Sequence, residues 1–145
     1  MKYAFLNIIF VVASLSSVAQ ESEIFAPEGL ALRGYDPVAI FKESEALMGF
    51  DSLSYTWKNV SWRFVSRENL EAFINHPDMY APQYGGYFAY GVSRGYKART
   101  EIDTWTIVDD KLYFNYNLNV KKEWEKDREK RIKSADEHWK GIKNK

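Results

Sequence analysis

The stretch Pro82-Gln83-Tyr84-Gly85-Gly86-Tyr87-Phe88-Ala89-Tyr90-Gly91 places three tyrosines, one phenylalanine and three glycines within ten residues. Glycine lets backbones approach closely and take up positive φ. Tyrosine brings a large apolar ring with a polar tip that needs a partner when buried. Together they describe a tightly packed aromatic wall. Gly86 to Ser93 reads as a short buried helix, and the spacing of three between Tyr84, Tyr87 and Tyr90 would line one helix face. Those rings either pack a core or turn phenolic hydroxyls into a ligand pocket. A second block, Leu32-Arg33-Gly34-Tyr35-Asp36-Pro37-Val38-Ala39-Ile40-Phe41, has the same character. It begins strand-like at Leu30 and turns at Asp36-Pro37, because proline fixes its own φ and restricts the residue before it.

Between the two blocks, Leu53-Ser54-Tyr55-Thr56-Trp57 and Val60-Ser61-Trp62-Arg63-Phe64-Val65 alternate at period two. Lys58-Asn59 between them suits a two-residue hairpin turn. Ser66 caps a following helix with Leu70, Phe73 and Ile74 on one face, and Pro77 ends it near His76. After the aromatic block, Trp105 to Val108 and Leu112 to Tyr116 form a second hairpin around Asp109-Asp110-Lys111. Asn117 or Asn119 caps a helix carrying Val120 and Trp124, and Ile132, Ala135 and Trp139 mark another. The mixed charges from Lys121 to Arg131 describe a solvated helix face. The fold class is α+β: one small domain of β-hairpins packed on short helices, with a C-terminal helical segment. No internal repeat is expected.

The N-terminus gives an address. Lys2 precedes an apolar run from Ala4 to Ala13, and Ser17-Val18-Ala19 has the small-x-small form of a cleavage site. Residues 1–19 therefore read as a secretory signal peptide, with the mature chain starting at Gln20; an uncleaved anchor is the alternative. The run is shorter than the ~20 residues of a membrane span. The product is expected in the periplasm or secreted. Residues 20–29 read as a mobile arm, 30–139 as the domain and 140–145 as a frayed tail. Without Lys2 the chain carries 19 basic and 20 acidic side chains, which argues against a nucleic-acid partner. It has no cysteine, hence no disulfide, thiolate metal site or cysteine nucleophile.

Gly34-Tyr35-Asp36-Pro37-Val38-Ala39, the Trp62-Arg63-Phe64 strand, the Ser66-to-Phe73 helix, His76-Pro77-x-x-Tyr80 and Pro82-Gln83-Tyr84-Gly85-Gly86-Tyr87 together resemble an exported YHS-domain protein. The resemblance spans about Leu30 to Trp139. It implies a small α+β binding module rather than a reaction. Relatives are often associated with metal ions, and some are attached to heavy-metal transporters or oxygenases. This chain departs from them where metal-associated relatives carry cysteine. Ala39 stands at one such place, Val65 to Arg67 offers no sulfur, and Phe88 stands where exported relatives often carry cysteine. Soft-metal binding therefore fails on ligand chemistry. A harder metal could use His76, Asp36, Asp78 or Glu71, but His76 and His138 lie on different elements. No cofactor is expected.

No nucleophile elbow or phosphate-cradling loop is present. Asp36 could act as a general base beside Arg33, or simply make an Asx-type turn. The expected function is a non-enzymatic binding module. Its expected ligand surface is Arg33, Asp36, Tyr84, Tyr87 and Phe88, taking a small organic molecule or anion, with Arg33 offering a bidentate fork to a carboxylate. A structural or protein-interaction role without a small ligand is the alternative.

Overall fold

The structure is a computed structural model that describes residues 21–145. The expected signal peptide, and Gln20 after it, lie outside the described residues. The chain folds as α+β. Helix α1 (Pro37–Glu43) leads to an antiparallel hairpin, β1 (Phe50–Trp57) and β2 (Val60–Phe64), then α2 (Arg67–Asn75) and the single turn α3 (Pro77–Tyr80). Helix α4 (Ala89–Ser93) precedes a second hairpin, β3 (Thr106–Val108) and β4 (Lys111–Tyr113). Helices α5 (Leu118–Lys126) and α6 (Arg128–Ile142) complete the chain.

Local chemistry explains most of these boundaries. Lys58 and Asn59 have φ of 50° and 62°, and Asp109 and Asp110 have 49° and 59°. Two left-handed residues in succession match the twist of paired strands, which is why each turn closes a hairpin. Ser66 Oγ accepts from the Asn69 amide at 3.1 Å and Asn117 Oδ1 from the Val120 amide at 2.9 Å, capping α2 and α5. Helix α2 stops before Pro77, as expected.

Both sequence blocks fold alike. Leu32-Arg33-Gly34 and Tyr84-Gly85-Gly86 each run through three positive-φ residues. Each closes with a 3.0 Å bond, from Tyr35 to the Leu32 carbonyl and from Tyr87 to the Tyr84 carbonyl. An extended tyrosine, one cap residue and a helix follow in each case, α1 after Asp36 and α4 after Phe88. A repeated turn is thus present where the sequence showed no internal repeat, because backbone geometry recurs while side chains differ. The expected strand start at Leu30 is replaced by this turn, with only isolated bridges at Leu30 and Tyr35. Likewise Tyr84, Tyr87 and Tyr90 do not share one helix face: only Tyr90 lies on α4.

Two cores form. One gathers Trp62, Phe64, Phe73, Val38 and Ile40 from the first hairpin, α2 and α1. Trp62 and Phe73 are fully buried with ring centroids 4.9 Å apart, and burying such a ring contributes roughly 1.5–3 kcal/mol. The other gathers Tyr84, Tyr87, Val92, Trp124 and Ala135. Strand β4 and the residue after it divide them. Leu112 and Phe114 enter the first core and Tyr113 the second, as period-two alternation requires.

Two terminal expectations are corrected. The segment 21–29 is not a mobile arm. Ile24 is 3% exposed, the Phe25 amide donates to the Gly85 carbonyl at 2.9 Å, and Pro27–Gly29 forms a turn. Its polar composition concealed the Ile24-Phe25 pair that anchors it. The C-terminus does not fray at residue 140 either. Helix α6 runs to Ile142, and Lys97 Nζ reaches the carbonyls of Lys143 and Lys145 at 3.1 and 3.2 Å. The same ammonium lies 3.3 Å from the Ser22 carbonyl and faces the Tyr87 and Trp139 rings. Burial pulls the Lys97 pKa down, opposed by Glu21 and Glu23. One lysine therefore ties the two ends of the described chain together.

Candidate functional site

The five residues expected to bind ligand do not converge. Asp36 is fully buried. Its Oδ1 accepts from the amides of Val38 (2.8 Å) and Ala39 (3.1 Å), and its Oδ2 from the Val65 amide (2.9 Å) and Asn69 Nδ2 (2.8 Å). Four donors fill the carboxylate, which caps α1 and joins it to β2 and α2. It can neither meet a ligand nor serve as a base beside Arg33. Arg33 turns elsewhere: its Nη1 donates to the Thr100 carbonyl at 2.6 Å, and the guanidinium covers the Phe25 ring at 5.4 Å.

The tyrosine hydroxyls point into the protein. Tyr84 Oη donates to Asp136 Oδ1 at 2.8 Å, and burial, reinforced by that carboxylate, pushes its pKa well up. Tyr87 Oη donates to the Ser22 carbonyl at 2.7 Å; burial first, and Glu21 second, push its pKa up to about 12. Phe88 is 6% exposed among the rings of Tyr90, Tyr96 and Tyr116, with centroids 5.7–6.0 Å away. It fills volume between these rings and does not face a ligand. Among the described residues no three His, Asp or Glu side chains come together as a metal-holding group. His76, Asp36, Asp78 and Glu71 therefore make no common site.

Of the five, Tyr84 borders the groove that forms the candidate site. It is a hollow of about 210 Å³ between the N-terminal segment, the β1–β2 turn, the end of α3 and α6. Trp57, Tyr84 and Trp139 border it, with Tyr84 only 4% exposed, and most of its accessible lining is polar, with Gln83, Asp78, Lys58 and Glu23 among the lining residues. Beyond Lys58 and Glu23 lies a wider, open hollow of about 410 Å³, also lined by Ser22, Asn59 and Asn144. Lys58 Nζ bonds Glu23 Oε1 at 2.7 Å and lies over the Trp57 ring at 4.8 Å. This half-exposed ion pair bars a groove whose two halves it joins. Such a pair is worth only about 0–1 kcal/mol, so it opens readily.

The chain builds this groove from distant parts. The hairpin twist presents Trp57 and Lys58 at its tip. Gly85 lets the N-terminal segment lie against the turn: its φ is 62°, and a Cβ there would overlap the Glu23 carbonyl oxygen. Trp139 reaches over from α6, its ring 5.9 Å from that of Tyr84. Sequence reading missed Glu23, Trp57, Lys58 and Trp139. The apolar pair Ile24-Phe25 was the one available sign that residues near Glu23 dock; nothing local signals a pairing 35 positions apart.

Comparison with protein-family models, with curated proteins and with solved structures finds no match to this chain. Among the described residues no helix is long and apolar enough to cross a membrane.

Proposed function

We propose that this chain is an exported, non-enzymatic binding module of the YHS type that takes a small, ring-bearing organic molecule with an anionic end. The observation that carries this reading is the polar groove bordered by Trp57 and Trp139, with Lys58 at its bar. The Trp57 and Trp139 rings at its edge can stack on a flat ring, and the mainly polar lining fixes its direction. When the Lys58–Glu23 pair opens, the ammonium over Trp57 is free to meet a carboxylate. The polar groups nearest to a chemical role are otherwise engaged. Asp36 is saturated with donors, and Ser134, 3.4 Å from His138 Nδ1, gives its proton to the Ser93 carbonyl at 2.9 Å.

Titrating the tryptophan emission of the mature chain with small aromatic carboxylates and amines tests the proposal. A saturable change is expected with the carboxylates. It should weaken in Gln83→Ala and in Lys58→Asn, both with unchanged melting temperature, since asparagine tolerates the left-handed φ of Lys58. No saturable change with any member of the panel would rule the reading out. A second reading, a protein-interaction module, draws support from Met48 and Phe50, which are 51% and 57% exposed two positions apart. Self-association or partner capture lost on Phe50→Ser would favour it.

A further inference from the structure

We propose that the cleft between α4 and the first turns of α6 is a second binding site, for a small multivalent oxyanion such as a phosphate group. The cleft measures about 170 Å³ and is lined by Ser93, Arg94, Asp127, Lys130, Arg131 and Ser134. That volume is below the ~300 Å³ at which drug-sized ligand pockets begin, so it suits a compact group. Three cations face one carboxylate there. The carboxylate does not saturate its partner: Asp127 Oδ2 stands 4.0 Å from Arg131 Nη2, a single long contact.

Tyr90 sets both guanidiniums in place. Arg131 lies over its ring at 4.2 Å, and Arg94 Nη1 donates to its hydroxyl at 3.3 Å. The stacking ring replaces solvent on one face of Arg131, whose Nε is buried without a partner. Stacked guanidiniums lose little freedom on meeting an anion, and planar forks suit phosphate oxygens. The positive field is felt at Tyr90 itself, whose pKa the bond from Arg94 and the charge of Arg131 pull down. The Ser93 and Ser134 hydroxyl protons go to backbone carbonyls. Binding therefore rests on Arg94, Lys130 and Arg131.

This site shares no residue with the Trp57–Trp139 groove, so the two can be tested separately. Calorimetric titration of the chain with inorganic phosphate, and in a second arm with methyl phosphate, which has no ring for the groove, reads it directly. Saturable binding of one phosphate per chain is expected, weakened about tenfold by Lys130→Gln and by Arg94→Gln, the loss of one charge-assisted contact. Both side chains are exposed, so melting temperatures should hold. Lys58→Asn should leave phosphate binding unchanged, which separates this site from the groove. Tighter binding of methyl phosphate than of phosphate, lost on Lys130→Gln, would support the site and mark the group as part of an ester. No saturable heat with either probe, or binding that survives both substitutions, would overturn the proposal.

Discussion

The Asp36 carboxylate and the Asn115 carboxamide perform equivalent tasks on two helices that begin alike. Asp36 Oδ1 accepts from the amide two residues on, Val38, at 2.8 Å; Asn115 Oδ1 accepts from the Tyr90 amide, two residues past Phe88, at 3.2 Å. Helix α1 is capped from within its own turn, and α4 from the end of the second hairpin, because Phe88 occupies the cap position without a polar group. Asp36→Ala should cost about 3 kcal/mol or more, since it strips a cap and leaves buried donors unpaired. Asp36→Asn should also destabilise strongly, because its NH₂ would face two donors. Chemical denaturation of both variants checks this; a stable Asp36→Asn would contradict the hub role.

Gly85→Ala tests the docking of the N-terminal segment. A methyl group there meets the Glu23 carbonyl, and φ of 62° strains any β-carbon. A loss of about 1–3 kcal/mol is expected. Hydrogen exchange should show the Phe25 amide, protected in the parent chain, becoming labile.

Phe88→Ala should destabilise by roughly 3–5 kcal/mol, the usual cost of removing a buried ring. The void would lie between Tyr90, Tyr96 and Tyr116. A thermal melt that barely moves would place Phe88 in an open pocket instead.

Alkaline pH should unfold the chain through its tyrosines. Burial raises Tyr87 and Tyr113 from the ordinary value of 10 to about 12 in the folded state. Below pH 10 both phenols are neutral in either state, and their contribution is complete. Above it the unfolded chain ionises first, so stability falls from pH 10 and is lost as pH passes 12. In a spectroscopic titration Tyr90, lowered by its arginines, should ionise before them.

The parts legible in the sequence are those fixed by local chemistry. Lys58-Asn59 and Asp109-Asp110 could be read as turns, and Ser66 and Asn117 as caps, because each rule acts within four residues. The left-handed turns at Leu32-Arg33-Gly34 and Tyr84-Gly85-Gly86 were not legible, since leucine, arginine and tyrosine rarely adopt positive φ. The candidate groove was least legible of all. Only Tyr84 among the five expected residues lines it, because long-range docking of Glu23 and Trp139, not local pattern, decides which faces meet.

The groove between Trp57 and Trp139 is the proposed seat of a small organic molecule. Chemical-shift mapping of residues 21–145 against small aromatic carboxylates probes this seat. Saturable shifts are expected at the Trp57 and Trp139 indole N–H groups and at Lys58, with the amides around Asp36 unmoved. Shifts clustered at Met48 and Phe50, or none at the indoles at saturating ligand, would contradict it.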